Sequence, residues 1–159
     1  MRRNGFLAVA LGFALALTAG GCNDSTSGVT IYQAQLAGGN EVPARSTAAS
    51  GAAGINLKDG VFTYSIEVNG MTEIVGAHIH LAAAGVNGPI RVNFYTGTAR
   101  PVADGVILEG SFTAADITGG VTFEQLVAAM STGGAYVNVH SPTYPGGEIR
   151  GQIQLVQTN

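Results

Sequence analysis

The stretch VFTYSIEVN (61–69) alternates with a period of two: Phe62, Tyr64, Ile66 and Val68 share one face, and Val61, Thr63, Ser65 and Glu67 the other. That period belongs to a pleated strand with one face on a core and one mostly toward water. Asp59-Gly60 stands directly before it, and GAAGINLK (51–58) before that. Asp-Gly between two apolar runs marks a tight hairpin, because both turn positions tolerate positive φ. Further short runs extend outward on both sides: VTIYQAQLA (29–37), VGAHIHLA (75–82), PIRVNFY (89–95), VILEGSF (106–112), AYVNVHS (135–141) and GEIRGQIQLV (147–156). Glycine, proline and asparagine turns separate most of them. One stretch breaks the pattern. TFEQLVAAMSTGG (122–134) sets Phe123, Leu126, Val127 and Met130 at helical spacing with Gly133 as a cap, and Thr113 to Asp116 reads as one helical turn before it. The expectation is an all-β domain, a Greek-key β-sandwich or barrel of about eight strands with one short helical crossover.

Composition agrees. Of 159 residues, 46% are hydrophobic, 11% are charged and 24 are glycine, which suits many tight turns around a buried core better than a helical bundle. The formal charge is −3 and no basic run is present, so the electrostatic footprint of a nucleic-acid binder is missing.

The chain opens differently. Arg2 and Arg3 precede the apolar run FLAVALGFALAL (6–17), which is short for a membrane span, and Ala19-Gly20-Gly21 lead into Cys22. This is the layout of a secretory signal peptide over residues 1–21. The small-small-Cys ending resembles the lipobox of bacterial lipoproteins, with Ala19 where leucine is usual. It implies lipidation of Cys22 and attachment to a membrane of the bacterial cell envelope, on its periplasmic or surface side. Cys22 is the sole cysteine and has no partner for an internal disulfide. Residues 22–28 then read as the lipidated cysteine and a short polar tether, NDSTSG (23–28), and 29–157 as the β domain. Beyond residue 21, five Arg/Lys stand against ten Asp/Glu, a balance of −5. Attachment therefore depends on the lipid and not on attraction to anionic headgroups.

Three histidines are present. His78 and His80 are two apart in one strand, so they share a face about 6.6 Å apart along it, while Ala77, Ile79 and Leu81 take the core face. In AYVNVH, Val137 and Val139 suit the core, leaving Tyr136, Asn138 and His140 on the other face. In the last strand Ile149, Gly151, Ile153 and Leu155 suit the core, which leaves Glu148, Arg150, Gln152 and Gln154 outside. If strand 75–82 lies beside the 135–156 hairpin, His78, His80, His140 and Glu148 converge, a donor set that suits Zn²⁺ or Cu²⁺. The structural alternative is a histidine pair held by Asn138, Glu148 or backbone groups. Glu148 and Arg150, two apart on one face, are expected to pair. No nucleophile elbow, phosphate loop, dinucleotide fingerprint or C-x-x-C is present. Ser141 and His140, being adjacent in a strand, point to opposite faces.

Three ordered segments carry a family resemblance. LAGGNEVP (36–43), AHIH (77–80) followed by Gly85 and Gly88-Pro89-Ile90, and YVNVH (136–140) with PGGEIRGQ (145–152) resemble the opening, central and closing signatures of the CHRD (chordin-domain) family. The resemblance runs from about residue 30 to 156. It implies a β-sandwich-like domain, found in the extracellular growth-factor antagonist chordin and in many exported microbial proteins, with no established catalytic activity. Asn40, Glu41, Asn138, Glu148 and Arg150 are its polar signature residues and are expected to tie loops to the sheet. His78-Ile79-His80 also resembles the copper strand of Cu,Zn superoxide dismutase, but that enzyme needs more histidine ligands than this chain has. The expected function is an envelope-anchored, non-enzymatic binding module for an envelope protein or small ligand. The alternative is a copper- or zinc-binding protein.

Overall fold

A computed structural model describes residues 28–158 of the chain. The signal segment, Cys22 and the tether up to Ser27 lie outside the described residues. Among the described residues nine strands, β1 (Thr30–Ala37), β2 (Ser50–Lys58), β3 (Val61–Asn69), β4 (Glu73–Leu81), β5 (Ile90–Pro101), β6 (Gly105–Phe112), β7 (Ala135–His140), β8 (Ile149–Gln152) and β9 (Gln154–Thr158), form one sheet, and one α-helix, α1 (Phe123–Ser131), precedes β7. The order is β5-β4-β7-β8-β1-β2-β3-β6, with β9 pairing β1, and every ladder is antiparallel. The long crossovers set β4 beside β7 and β8 beside β1, as an all-β Greek-key barrel or sandwich requires.

The β2–β3 hairpin follows the sequence closely. Asp59 and Gly60 take φ of 51° and 78°, and Lys58 pairs with Val61 across the two-residue turn. The edge strands β5 and β6 are consecutive in the chain, and they nearly close the sheet on itself. Arg100 Nη2 donates to the Ile107 carbonyl at 2.8 Å, and Phe94 of β5 meets Tyr64 of β3 and Phe112 of β6 with ring centroids 4.2 and 6.0 Å apart. Inside lie Phe62, Ile66 and Val68 of β3 with Tyr32, Ile55, Ile74, Ile79, Val137 and Ile149. Helix α1 adds Leu126 and Met130, one turn apart, and Phe123 packs on Phe62 at 5.2 Å. Thr122 and Gln125 form a reciprocal capping box at its start, and Gly133, with φ of 72°, stops it.

Three expectations need correction. Strand 89–95 continues to Pro101, because Gly97 and the small residues after it remain extended along β4 through a series of bulges. The last strand divides at Ile153: β8 is held by β7, whereas β9 pairs with β1 alone. Leu155, expected inside, is therefore 43% exposed. Arg150, expected outside, is 1% exposed, and both faces of β7 are buried. Loops over the outer face of β4, β7 and β8 make the difference.

Candidate metal centre

Strand register builds the site. His78 pairs with Asn138 and Asn138 with Arg150; His80 pairs with Tyr136 and Tyr136 with Gln152; Gly76 pairs with His140. Cross-strand partners share a face. The face opposite the apolar core therefore carries two polar rows, His78–Asn138–Arg150 and His80–Tyr136–Gln152, with His140 beside them. The backs of the same strands hold Ala77, Ile79, Val137 and Val139 in the core. Alternation thus placed the imidazoles on the correct side, but they are not open to water: His78, His80 and His140 are 7, 9 and 9% exposed.

The polar signature residues hold the covering loops. Arg150 donates from Nη1 to Asn87 Oδ1 (3.1 Å) and from Nη2 to the Val86 carbonyl (2.7 Å), and its guanidinium lies 3.4 Å from the centre of the Tyr136 ring. Asn40 Nδ2 donates to the Arg150 carbonyl (3.0 Å), and Asn138 Nδ2 to Glu41 Oε1 (2.8 Å). Burial raises the Glu41 carboxyl above the usual carboxylate range, against the opposing pull of Arg150, Asn138 and Arg45. The expected Glu148–Arg150 pair is replaced. Glu148 accepts from Thr47 Oγ1 at 2.7 Å, while Arg150 is taken up by loop 82–89. Gly147, at φ of 121°, bends the chain before β8 begins.

The three histidines come together, and Glu148 is not in their group: one ring nitrogen from each lies within 4.8 Å of the others. Gly76 makes this possible. A Cβ there would stand 2.9 Å from His78 Cε1, so the His78 ring occupies space that any side chain would take, while His140 Cδ2, at 3.5 Å, would be in ordinary contact. His78 Nδ1 lies 3.0 Å from His140 Nε2, and the His80 ring stacks on Tyr136 at 4.7 Å. Two nitrogens bound at 2.0–2.1 Å to a tetrahedral ion stand about 3.3 Å apart. The His78–His140 separation is therefore close to that of two ligands of one metal.

Hydrogen-bond accounting sharpens the fit. His80 Nδ1–H donates to the Gly88 carbonyl (2.9 Å), and His140 Nδ1–H to the Pro145 carbonyl (3.0 Å). Each Nε2 is consequently a bare acceptor, and His80 Nε2 is buried with no partner among the described residues. Backbone carbonyls that fix the outer nitrogen are the usual support of metal-binding imidazoles. Burial also depresses all three basicities. His78 is lowered to about 4 by burial, with His140 and His80 adding to it. His80 and His140 are lowered chiefly by burial, against their carbonyl partners. Near neutral pH the three rings are uncharged and need lose no proton to bind a cation.

Sequence reasoning missed three contributors: Gly76, Gly88 and Thr96, whose Oγ1 lies 3.3 Å from His78 Nε2. Gly76 carried a usable signal, since a glycine inside a strand marks a close approach. Thr96 fell beyond the expected end of its strand.

Comparison with curated proteins and with solved structures gave no match. Residues 32–153, which contain all three histidines and every loop-holding residue named above, match the family described as CHRD domain. The chain belongs to the CHRD-domain family.

Proposed function

We propose that this protein is a non-enzymatic binding module of the bacterial envelope, held to a membrane by a lipid on Cys22, that takes up a divalent transition metal through His78, His80 and His140. The observation behind the metal reading is the outward commitment of the Nδ1–H groups of His80 and His140, which leaves their Nε2 lone pairs in a buried cluster of three imidazoles. A cation satisfies these nitrogens at once. Neutral imidazoles suit Cu²⁺ and Zn²⁺, with Cu²⁺ the tighter by the general order of divalent metals. Three protein ligands leave a fourth position for water or a small ligand. The groove floored by Arg150 and Gln152, between Gly39–Val42 and Ala84-Gly85, offers an adjoining surface for an envelope partner.

Titration of purified, tag-free protein with Cu²⁺ and with Zn²⁺ tests this. Metal at one hundred times its dissociation constant raises stability by about 2.7 kcal/mol. The rise should vanish in His78→Ala/His80→Ala. No shift with either ion, or an equal shift in the double mutant, removes the metal reading. Cys22→Ser tests the anchor: the protein should leave the membrane fraction or remain as uncleaved precursor, and unchanged mass and fractionation remove that part.

A further inference from the structure

We infer that the three-histidine site holds copper more firmly as Cu⁺ than as Cu²⁺, which makes the bound ion a high-potential copper. The inference deepens the metal reading above and rests on it. The donor set carries no charge. One ring nitrogen from each of His78, His80 and His140 lies within 4.8 Å of the others, and no cysteine, aspartate or glutamate joins them among the described residues. Glu148 Oε1 accepts from Thr47 Oγ1 at 2.7 Å, and Glu41 Oε1 accepts from Asn138 Nδ2 at 2.8 Å, so both carboxylates are engaged elsewhere. A filled site therefore keeps the full charge of its ion, +2 for cupric and +1 for cuprous. All three rings are at most 9% exposed. The cost of taking an ion out of water grows with the square of its charge, so burial discriminates against the cupric state.

The surroundings add no compensation. A carboxylate on the outer nitrogen of a ligand histidine raises its donor strength toward a divalent ion. Here His80 Nδ1 meets the Gly88 carbonyl and His140 Nδ1 the Pro145 carbonyl, both neutral. The Tyr136 ring that stacks on His80 also carries the Arg150 guanidinium, whose charge the Glu41 carboxyl faces. That layer brings no net negative charge to the cluster.

Donor number points the same way. Cu²⁺ favours a tetragonal set of four or more donors, whereas three imidazoles complete a trigonal shell for Cu⁺. Imidazole is not a soft ligand, so the selection comes from charge and donor number. In the metal-free protein His140 has given its own hydrogen to Pro145, and His78 Nδ1–H donates to His140 Nε2 at 3.0 Å. Copper takes the place of that hydrogen. His78 then carries its hydrogen on Nε2, 3.3 Å from Thr96 Oγ1, a third neutral partner, and no proton leaves the site.

The test measures two dissociation constants of the purified, tag-free protein: Cu⁺ without oxygen against a chromogenic cuprous chelator, and Cu²⁺ against a cupric one. Cu⁺ should bind at least about 10-fold tighter, which sets the reduction potential about 59 mV or more above the aqueous couple. Thr96 is exposed on an edge strand, so it can be changed without touching the core. Thr96→Asp sets a carboxylate beside His78 Nε2 and should tighten Cu²⁺ and Zn²⁺ by about 10-fold, lowering the cuprous preference by as much. Thr96→Asn, which has the same shape without the charge, should keep the wild-type ratio. Cu²⁺ bound as tightly as Cu⁺, or more tightly, overturns the inference and leaves the metal reading standing. Binding of neither copper state removes both. A ratio that Thr96→Asp leaves unmoved, or that Thr96→Asn shifts as far, also overturns it, because charge is then not what sets the preference.

Discussion

Nδ1 of His78 on β4 lies 3.0 Å from Nε2 of His140 on β7, a contact made across 62 positions of sequence. Neither ring can keep that spacing as an ion pair of like charges, and burial opposes the charged forms. The contact is held by one shared proton or by one shared cation. Removing His140 should therefore do more than remove one donor, because it also frees His78 to turn. His140→Ala is expected to weaken Cu²⁺ or Zn²⁺ binding by more than the roughly 10–100-fold typical of an outer-shell loss. Isothermal titration measures this, and unchanged affinity would place the ion elsewhere.

The metal-free protein should lose stability in mild acid. The folded pKa of His78 is depressed to about 4, and those of His80 and His140 are lowered too, against about 6.5 in the unfolded chain. The unfolded state then binds more protons than the folded state below about pH 6.5, so stability falls as pH drops from there toward 4 and levels off below. Each kcal/mol lost lowers the melting temperature by roughly 3–5 °C in a domain of this size. Melting curves from pH 7.5 to pH 4 check the sign. A protein lacking all three rings should show a flatter profile, and an identical profile would assign the acid sensitivity to the carboxylates.

Gly76→Ala is the most economical probe of the site's shape. Its new Cβ would stand 2.9 Å from His78 Cε1, closer than carbon atoms tolerate, so the ring must move. Overpacking of this kind costs about 1–3 kcal/mol, and here it also displaces a ligand. Gly54→Ala is the control, since a Cβ there meets nothing within 4 Å. Thermal melts and metal titration should show loss of both properties for Gly76→Ala. Gly54→Ala should be neutral or stabilising by about 0.4–1 kcal/mol.

Much of this arrangement was legible from periodicity. The alternation in 61–69 and the Asp59-Gly60 turn located a strand and a hairpin that the structure reproduces residue for residue. Alternation also placed all three imidazoles on the side away from the apolar core. What it could not reveal is that this second side is covered. Burial of Arg150 depends on loop 82–89 folding over it, and a loop's path is set by contacts distant in sequence, here Arg150 to Asn87 across 63 positions. Glu148 illustrates the same limit. The period puts it on the histidine face, but the bend at Gly147 and the bond to Thr47 take its carboxylate elsewhere. Leu155 failed because alternation assumes an unbroken strand, and the strand breaks at Ile153.

Arg150 offers a last prediction, because its role differs from that of a surface arginine. Its guanidinium is buried against the Tyr136 ring, donates to Asn87 and to the Val86 carbonyl, and faces the Glu41 carboxyl that Asn138 also holds. Truncation would leave those acceptors unpaired and Glu41 without its main balancing charge. Breaking a buried charged network from one side costs about 3–5 kcal/mol. Arg150→Ala should destabilise by that order. Arg150→Lys should recover only part of the loss, since an ammonium cannot reach two loop acceptors while lying flat on a ring. Hydrogen exchange adds the local signature: amides in 82–89 should exchange faster in Arg150→Lys, while those in the β2–β3 hairpin keep wild-type protection. Because Gly88, whose carbonyl fixes His80, lies in that loop, metal binding should weaken in step with loop exchange. Loop exchange that rises while affinity stays constant would show that the histidines hold their geometry without it.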